Sequence, residues 1–227
     1  MKERRRIRVM FYVQHLLGVG HQVRAAAITR AMQARGMDVH YVSGGFDEAR
    51  QDLGGARHLQ LPLARTADAG FDTLLDDVGQ PVDAAWEERR RRALLDAFDS
   101  VAPDLILIES FPFGRRRFRF ELLPLLEAAR GKAVIAASVR DILVERDDPD
   151  RTRWIVEIAK SCLDAVIVHG DPRIAAFRET FAGAEEIDNL IRYSGYVTAA
   201  PAQKSGRRTP SVVVSAGGGA VGGALLR

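Results

Sequence analysis

Five stretches of this chain are nearly unbroken in Val, Ile, Leu and other apolar residues. They are IRVMFYV from Ile7, MDVHYVS from Met37, PDLILIES from Pro103, GKAVIAAS from Gly131 and LDAVIVHG from Leu163. A strand with one wet face alternates apolar and polar residues; a near-continuous apolar run belongs to a strand covered on both faces. Between the runs lie helical patterns. Gln22 to Arg35 places Val23, Ala27, Ala31 and Ala34 on one face, and Asp83 to Ser100 offers Glu87–Arg91 and Glu88–Arg92 as i,i+4 pairs. Further helices are predicted from Arg119, from Arg151 and from Asp171, where Asp171 can cap and Pro172 fits the first helical position. Trp86 and Trp154 fall on helical patterns and read as packing residues. Strands alternating with helices predict an α/β fold: a Rossmann-like, mainly parallel sheet with helices on both faces. A mixed α+β domain is the competing reading.

Two regions break the alternation. From Gly44 to Pro81 the chain is rich in Gly, Pro and acidic residues. It reads as a long irregular connection with a short strand near His58. From Tyr193 to Pro210 the sequence is small, polar and rich in breakers. SVVVSAGGGAVGGALLR then starts a new strand, a glycine turn and a helix. The organisation predicted is a Rossmann-like domain over 1–197, a linker over 198–210, and, over 211–227, the opening of a second α/β domain whose remainder lies beyond Arg227.

Composition narrows the function classes. The net charge of the 227 residues is only +3. Basic residues cluster at Lys2 to Arg8, Arg89 to Arg92 and Arg115 to Arg119 without a nucleic-acid-binding motif. Arginine-rich helix faces ordinarily meet water, so nucleic acid is not an expected partner. Cys162 is the sole cysteine, which excludes an intrachain disulfide and suits a reducing compartment. The basic, then apolar N-terminus lacks the cleavage site of a signal peptide. No apolar stretch approaches the roughly 20 residues that span a bilayer. A cytoplasmic protein is expected, with no transmembrane segment and at most peripheral membrane contact. No His, Cys or Asp cluster has metal-ligand spacing, and no G-x-S-x-G elbow marks a Ser hydrolase.

The segment GVGHQVR, holding Gly18, Gly20 and His21, follows the first strand. A glycine-rich turn there brings backbone N–H groups and a helix N-terminus to the carboxyl edge of the sheet, a place for an anion or a ligand oxygen. The dinucleotide pattern G-x-G-x-x-G fails, because Val23 stands where its third glycine belongs and Ser43 closes the second strand in place of an acid. The P-loop pattern fails too. A helix N-terminus favours neutral imidazole, so His21 can serve as a base; it can equally cap the helix. Ser43, Glu109, Arg140 and His169 also follow strand ends on that edge, with Ser110 beside Glu109. For Glu109 and Ser110 a capping or solvated role competes with a functional one, and Arg140–Asp141 can be a structural salt bridge.

The stretch GVGHQVRAAAITRAMQARGMDVHYVSGG resembles the start of GT-B glycosyltransferases. Within these it is similar to the bacterial branch related to the lipid II-forming N-acetylglucosaminyltransferase. IESFPFGRRRFRFELLPLLEAAR, SVRDILV and VIVHGDPR resemble the group called predicted glycosyltransferases. The resemblance implies two Rossmann-like domains facing a cleft, the first binding a hydroxyl acceptor and the second most of a nucleotide-sugar. It implies a hexosyl transfer that needs no separate cofactor and no metal held by the protein. His21, with Glu109 second, would be the base; Gly18, Gly20, Ser43, Ser110, Arg140 and His169 would line the acceptor side. Ser215, Gly217, Gly218 and Gly219 would approach the donor diphosphate. A non-hydrolysing nucleotide-sugar epimerase and a truncated, non-catalytic binding module are the alternatives.

Overall fold

The computed structural model describes residues 5–16, 20–46, 51–66, 73–143 and 148–198. The donor-side glycine turn over 211–227, with Ser215 and Gly217 to Gly219, lies outside the described residues, as does Gly18. In chain order the elements are β1 (Arg8–Val13), α1 (Gly20–Ala34), β2 (Asp38–Ser43), β3 (Arg57–Gln60), β4 (Arg65–Thr66), β5 (Leu74–Leu75) and α2 (Ala84–Val101). There follow β6 (Leu105–Glu109), α3 (Arg119–Ala129), β7 (Val134–Arg140), α4 (Pro149–Cys162), β8 (Ala165–His169) and β9 (Ile191–Tyr193).

Seven strands form one sheet in the order β3-β2-β1-β6-β7-β8-β9, and every neighbouring pair runs parallel. The apolar runs are central strands, as their unbroken pattern predicts. In β1, Val9, Phe11 and Val13 face one side and Met10 and Tyr12 the other, and all five are fully buried. Helix α1 covers the first side, with Ala25, Ile28 and Met32 against Phe11, Tyr41 and Leu107. The larger core lies on the second side, where α2, α3 and α4 bring Leu94, Phe98, Leu122, Leu125 and Ile155 against Ile106, Ile108 and Ala137. Two helix starts are fixed by aspartates: Asp83 accepts from the Trp86 N–H at 2.7 Å and Asp148 from the Arg151 N–H at 2.9 Å, with Pro149 opening α4.

The strand order reverses direction between β1 and β6. The connection after β1 leads outward to β2 and β3, whereas β6 starts the opposite half. In open α/β sheets the carboxyl ends of the two strands at such a switch point splay apart and leave a crevice. The α1 N-terminus follows β1, and Glu109 ends β6.

Four sequence expectations need correction. The buried face of α1 carries Gln22, Ala25, Ala26 and Thr29, while Val23 is half exposed. In so alanine-rich a helix apolar periodicity barely distinguishes two faces, and polar contacts at the sheet edge decide the orientation. The segment from Asp171 forms turns and short 3₁₀ pieces (Phe177–Glu179 and Glu185–Leu190), not an α-helix. Asp171 accepts from the Arg173 N–H at 2.9 Å, which closes a tight turn, and Phe177 and Phe181 pack edge-on against Phe113. Of the two predicted helix pairs Glu88–Arg92 forms, at 3.6 Å, but Glu87 pairs with Arg117 of the β6–α3 connection and Arg91 goes to Glu88. Finally, the Arg89–Arg92 cluster is not wholly water-facing, because Arg90 is completely buried. The irregular stretch after Gly44 holds β3, close to where a short strand is predicted, and the antiparallel pair β4–β5. Trp86 is buried and Trp154 packs against the core, as expected of packing residues.

Candidate active site

Glu109 is the last residue of β6 and Ser138 is its register partner on β7. Both side chains point to the α1 face, two residues on from Leu107 and Ala136, which pack there. Helix α1 brings His21 and Arg24 over them from its first turns. The His21 Nδ1 lies 2.9 Å from Glu109 Oε1, and Arg24 donates to the same oxygen. The Ser138 hydroxyl donates to Glu109 Oε2 at 2.8 Å and lies 2.9 Å from His169 Nε2. His169 Nδ1 meets the Ser194 hydroxyl at 2.7 Å, just after β9. A continuous polar chain therefore crosses four strand ends, from α1 to the segment that leaves β9.

Burial and charge fix the protonation pattern. The Glu109 side chain is wholly buried, and burial alone would raise its pKa. The His21 bond, the Arg24 charge and the Ser138 bond outweigh this and bring it down to about 2. Glu109 is therefore an ionised acceptor, so His21 Nδ1 must carry the hydrogen that it shares. His21 itself is shifted below the usual histidine range, first by burial and then by Arg115 and Arg24, against the opposing pull of Glu109. A neutral imidazole with Nδ1–H on a carboxylate has its lone pair on Nε2. Arg24, also 3.4 Å from Nδ1, cannot donate to a protonated nitrogen, so its hydrogen goes to the carboxylate. Burial, with Arg24 nearby, lowers His169 to about 4. Because Ser138 spends its hydrogen on the carboxylate, neutral His169 donates from Nε2 to Ser138 and accepts at Nδ1 from Ser194.

A cleft of about 1210 Å³ opens along the carboxyl edge between the α3 and α4 sides. His21, Ser110 and Arg140 line it, while Glu109 and His169 stand behind His21 in the polar chain. Arg140 is exposed and donates from Nε to the Ile142 carbonyl at 2.5 Å; Asp141 instead accepts from the Ile142 N–H at 2.9 Å. Ser110 adopts a left-handed backbone (φ 68), which turns the chain sharply out of β6. Gly20 opens α1 with free space around its Cα. Ser43 is buried at the end of β2, where its carbonyl accepts from Leu61 N–H at 2.8 Å, and it does not line the cleft. Sequence reasoning missed Arg24, Ser138, Ser194 and Arg115. A signal existed for one: Ser138 is a lone hydroxyl in the otherwise apolar VIAASV run. Among the described residues no group of three or more His, Cys, Asp or Glu could hold a metal, and no helix is long and apolar enough to cross a membrane.

A seven-stranded parallel sheet with helices on both faces is a Rossmann-like α/β architecture, here with a polar chain at its switch point. Among solved structures the chain is similar to CalG4, the calicheamicin glycosyltransferase, at 15% identity, covering 89% of this chain and 56% of that one (TM-score 0.50). It is similar to a glycosyltransferase of Rickettsia africae at 10% identity, covering 83% and 42% (TM-score 0.51). It is also similar to an Arabidopsis thaliana UGT complexed with UDP-L-rhamnose, at 12% identity, covering 92% and 52% (TM-score 0.51). At these identities the likeness is one of fold, the α/β fold of GT-B glycosyltransferases. The chain spans about half the length of the solved structures it matches. Neither a protein-family model nor a curated protein matches it.

Proposed function

We propose that this chain is the acceptor-side part of a GT-B glycosyltransferase, which moves a hexosyl group from a nucleotide-sugar to a hydroxyl. The observation that carries the reading is the His21–Glu109 pair at the mouth of the switch-point cleft. His21 Nε2, unprotonated and beside open space, takes the hydroxyl proton. The freed oxygen forms the new bond to the anomeric carbon as the bond from that carbon to the diphosphate breaks, and nucleoside diphosphate departs. Glu109 does not touch the acceptor. It holds the Nδ1–H tautomer and stabilises the imidazolium that forms, as a buried carboxylate behind a catalytic histidine does. Arg24 and Ser138 hold Glu109. On this reading Gly20 gives the acceptor close access to the α1 N-terminus, Ser110 and Arg140 border it, and His169 supports Glu109 through Ser138. Ser43, at the end of β2, belongs to the same edge, and Gly18 would complete the glycine-rich turn before α1. Ser215 and Gly217 to Gly219 would meet the donor diphosphate in the second domain.

The test is release of nucleoside diphosphate from a panel of nucleotide-sugars, measured with the complete protein with and without hydroxyl acceptors. Release that needs acceptor supports transfer. Sugar interconversion without acceptor would favour an epimerase, and no turnover a binding module. In the active protein, His21→Ala should lower turnover by roughly 10² to 10⁴. Thermal stability should change little, because His21 is a partly exposed residue at a helix start.

A further inference from the structure

The cleft is lined by seven arginines and three carboxylates, far from the chain's nearly balanced charge. Several of these charges are already spent. Arg117 pairs with Glu87 at 3.0 Å, Arg153 with Asp150 at 3.1 Å, and Arg116 lies over the Trp154 ring. On the acidic side, Glu186 is taken by Lys160 at 2.8 Å, and Asp148 caps α4. Arg151 donates to the Phe113 carbonyl at 3.1 Å, and what remains is Arg115, Arg140 and Arg178 against Glu179, a positive excess. Arg115 enters from a left-handed backbone position (φ 60) and fixes its Nε on the Gln14 carbonyl at 2.5 Å. Arg140 fixes its Nε on Ile142. In both, a single Nε contact anchors the guanidinium, and among the described residues the terminal nitrogens have no hydrogen-bond partner. Neither arginine is in an ion pair among those residues. Arg115 is pushed below the ordinary arginine range, first by burial, with Arg24 and Arg140 adding to the shift against the opposing pull of Glu109 and Tyr12. Two like-charged forks crowded beside a cleft are an arrangement that a bound dianion would relieve.

We propose that Arg115 and Arg140 form a clamp for a phosphate group carried by the acceptor, held next to His21. Guanidinium forks match phosphate oxygens two at a time, and both forks are oriented in advance by their Nε bonds. Arg178, exposed on the far wall, adds long-range attraction. Holding the acceptor by a phosphate would place its reacting hydroxyl, a fixed length away, at His21 Nε2. The phosphate clamp stands on the cleft alone; its assignment to the acceptor rests on the glycosyl-transfer reading.

The experiment is calorimetric titration of the 227-residue chain with inorganic pyrophosphate and, in parallel, with UDP. Arg115→Gln and Arg140→Gln are the variants, each checked by thermal melting. Arg140 is exposed, so its variant should fold normally even if the Arg115 variant does not. Pyrophosphate binding should weaken about tenfold or more with either substitution. It should also weaken as salt is raised from about 0.05 M to about 0.3 M. No binding at low salt, or binding indifferent to Arg140→Gln, would overturn the clamp. UDP binding tighter than pyrophosphate, with the same arginine dependence, would overturn the acceptor assignment by placing the donor's diphosphate there. Arginine-dependent pyrophosphate binding in a complete protein that transfers no sugar would sink the transfer reading and leave the clamp standing.

Discussion

The sheet buries one carboxylate–arginine pair on each of its faces, and the two differ in how they end. On the face covered by α2 and α3, Glu121 accepts from Arg90 Nε at 2.8 Å and from the Tyr12 hydroxyl at 2.5 Å. Arg90 spends its remaining hydrogens on the Gly44 and Pro62 carbonyls, Gln14 and Tyr12, with its plane over the Phe118 and Trp86 rings. Every donor has a partner, both side chains have no solvent exposure, and nothing leads outward. Burial lowers the Arg90 pKa, but Glu121 and Tyr12 overcome this and raise it, so its charge is locked. On the α1 face, Glu109 is equally buried, but its partner His21 is one-quarter exposed, on the cleft. A buried carboxylate with its arginine is a staple where the network closes on itself; where a histidine joins the pair and reaches a cavity, it becomes, on the proposed reading, a proton-handling device.

That contrast predicts unequal mutational costs. Glu121→Ala strands a fully buried, unpaired arginine and should cost about 3–5 kcal/mol of stability. Glu109→Ala should cost less, on the order of 1–3 kcal/mol, because Arg24 is 16% exposed and can turn towards solvent. Paired urea melts check this; equal costs would erase the distinction between the two sites.

Acid should attack the α1 face over a defined range. His169 sits at about 4 when folded, below its ordinary 6.5, so the unfolded chain takes up the proton first as pH falls. Stability is complete above 6.5 and drains between 6.5 and 4, by about 3 kcal/mol at roughly 1.4 kcal/mol per unit. Glu109, at about 2, adds a second loss below its ordinary 4.5. Urea melts of the parent and His169→Gln proteins across this range should show the upper segment flattened in the variant.

The smallest effect belongs to an ion pair on neither face. Lys160–Glu186 is 2.8 Å long but half exposed, and Glu186→Ala should cost no more than about 1 kcal/mol. A larger loss would mean that burial is not what separates strong pairs from weak ones here.

How much of this was legible in the sequence follows from what each feature depends on. The central strands announced themselves because burial on both faces demands unbroken apolar runs. Strand ends were legible too, and in a parallel sheet they share one edge. Hence His21, Glu109, Arg140 and His169 could be grouped before any side chain was placed. The partners that tie them together were not. Ser138 and Ser194 lie 56 residues apart in sequence and meet only through the His169 ring between them. Arg90 reads like its neighbours in a run of four arginines; only the helix phase, set by Trp86, Leu94 and Phe98, turns it inward. The Asp171 segment carried a sound capping signal, but Phe177 and Phe181 anchor it in the core in another conformation. Local signals lose where distant contacts decide.

The His21 ring decides between a proton-handling pair and a structural one. His21 should be neutral near pH 7, with its hydrogen on Nδ1 facing Glu109 and its lone pair on Nε2 facing the cleft. Nitrogen-15 NMR of the histidine side chains, assigned by comparison with His21→Ala and followed through a pH titration, reads tautomer and pKa together. The expected result is the Nδ1–H tautomer with a midpoint below 6.5. An Nε2–H tautomer, or a midpoint above 6.5, would rule out His21 as the base.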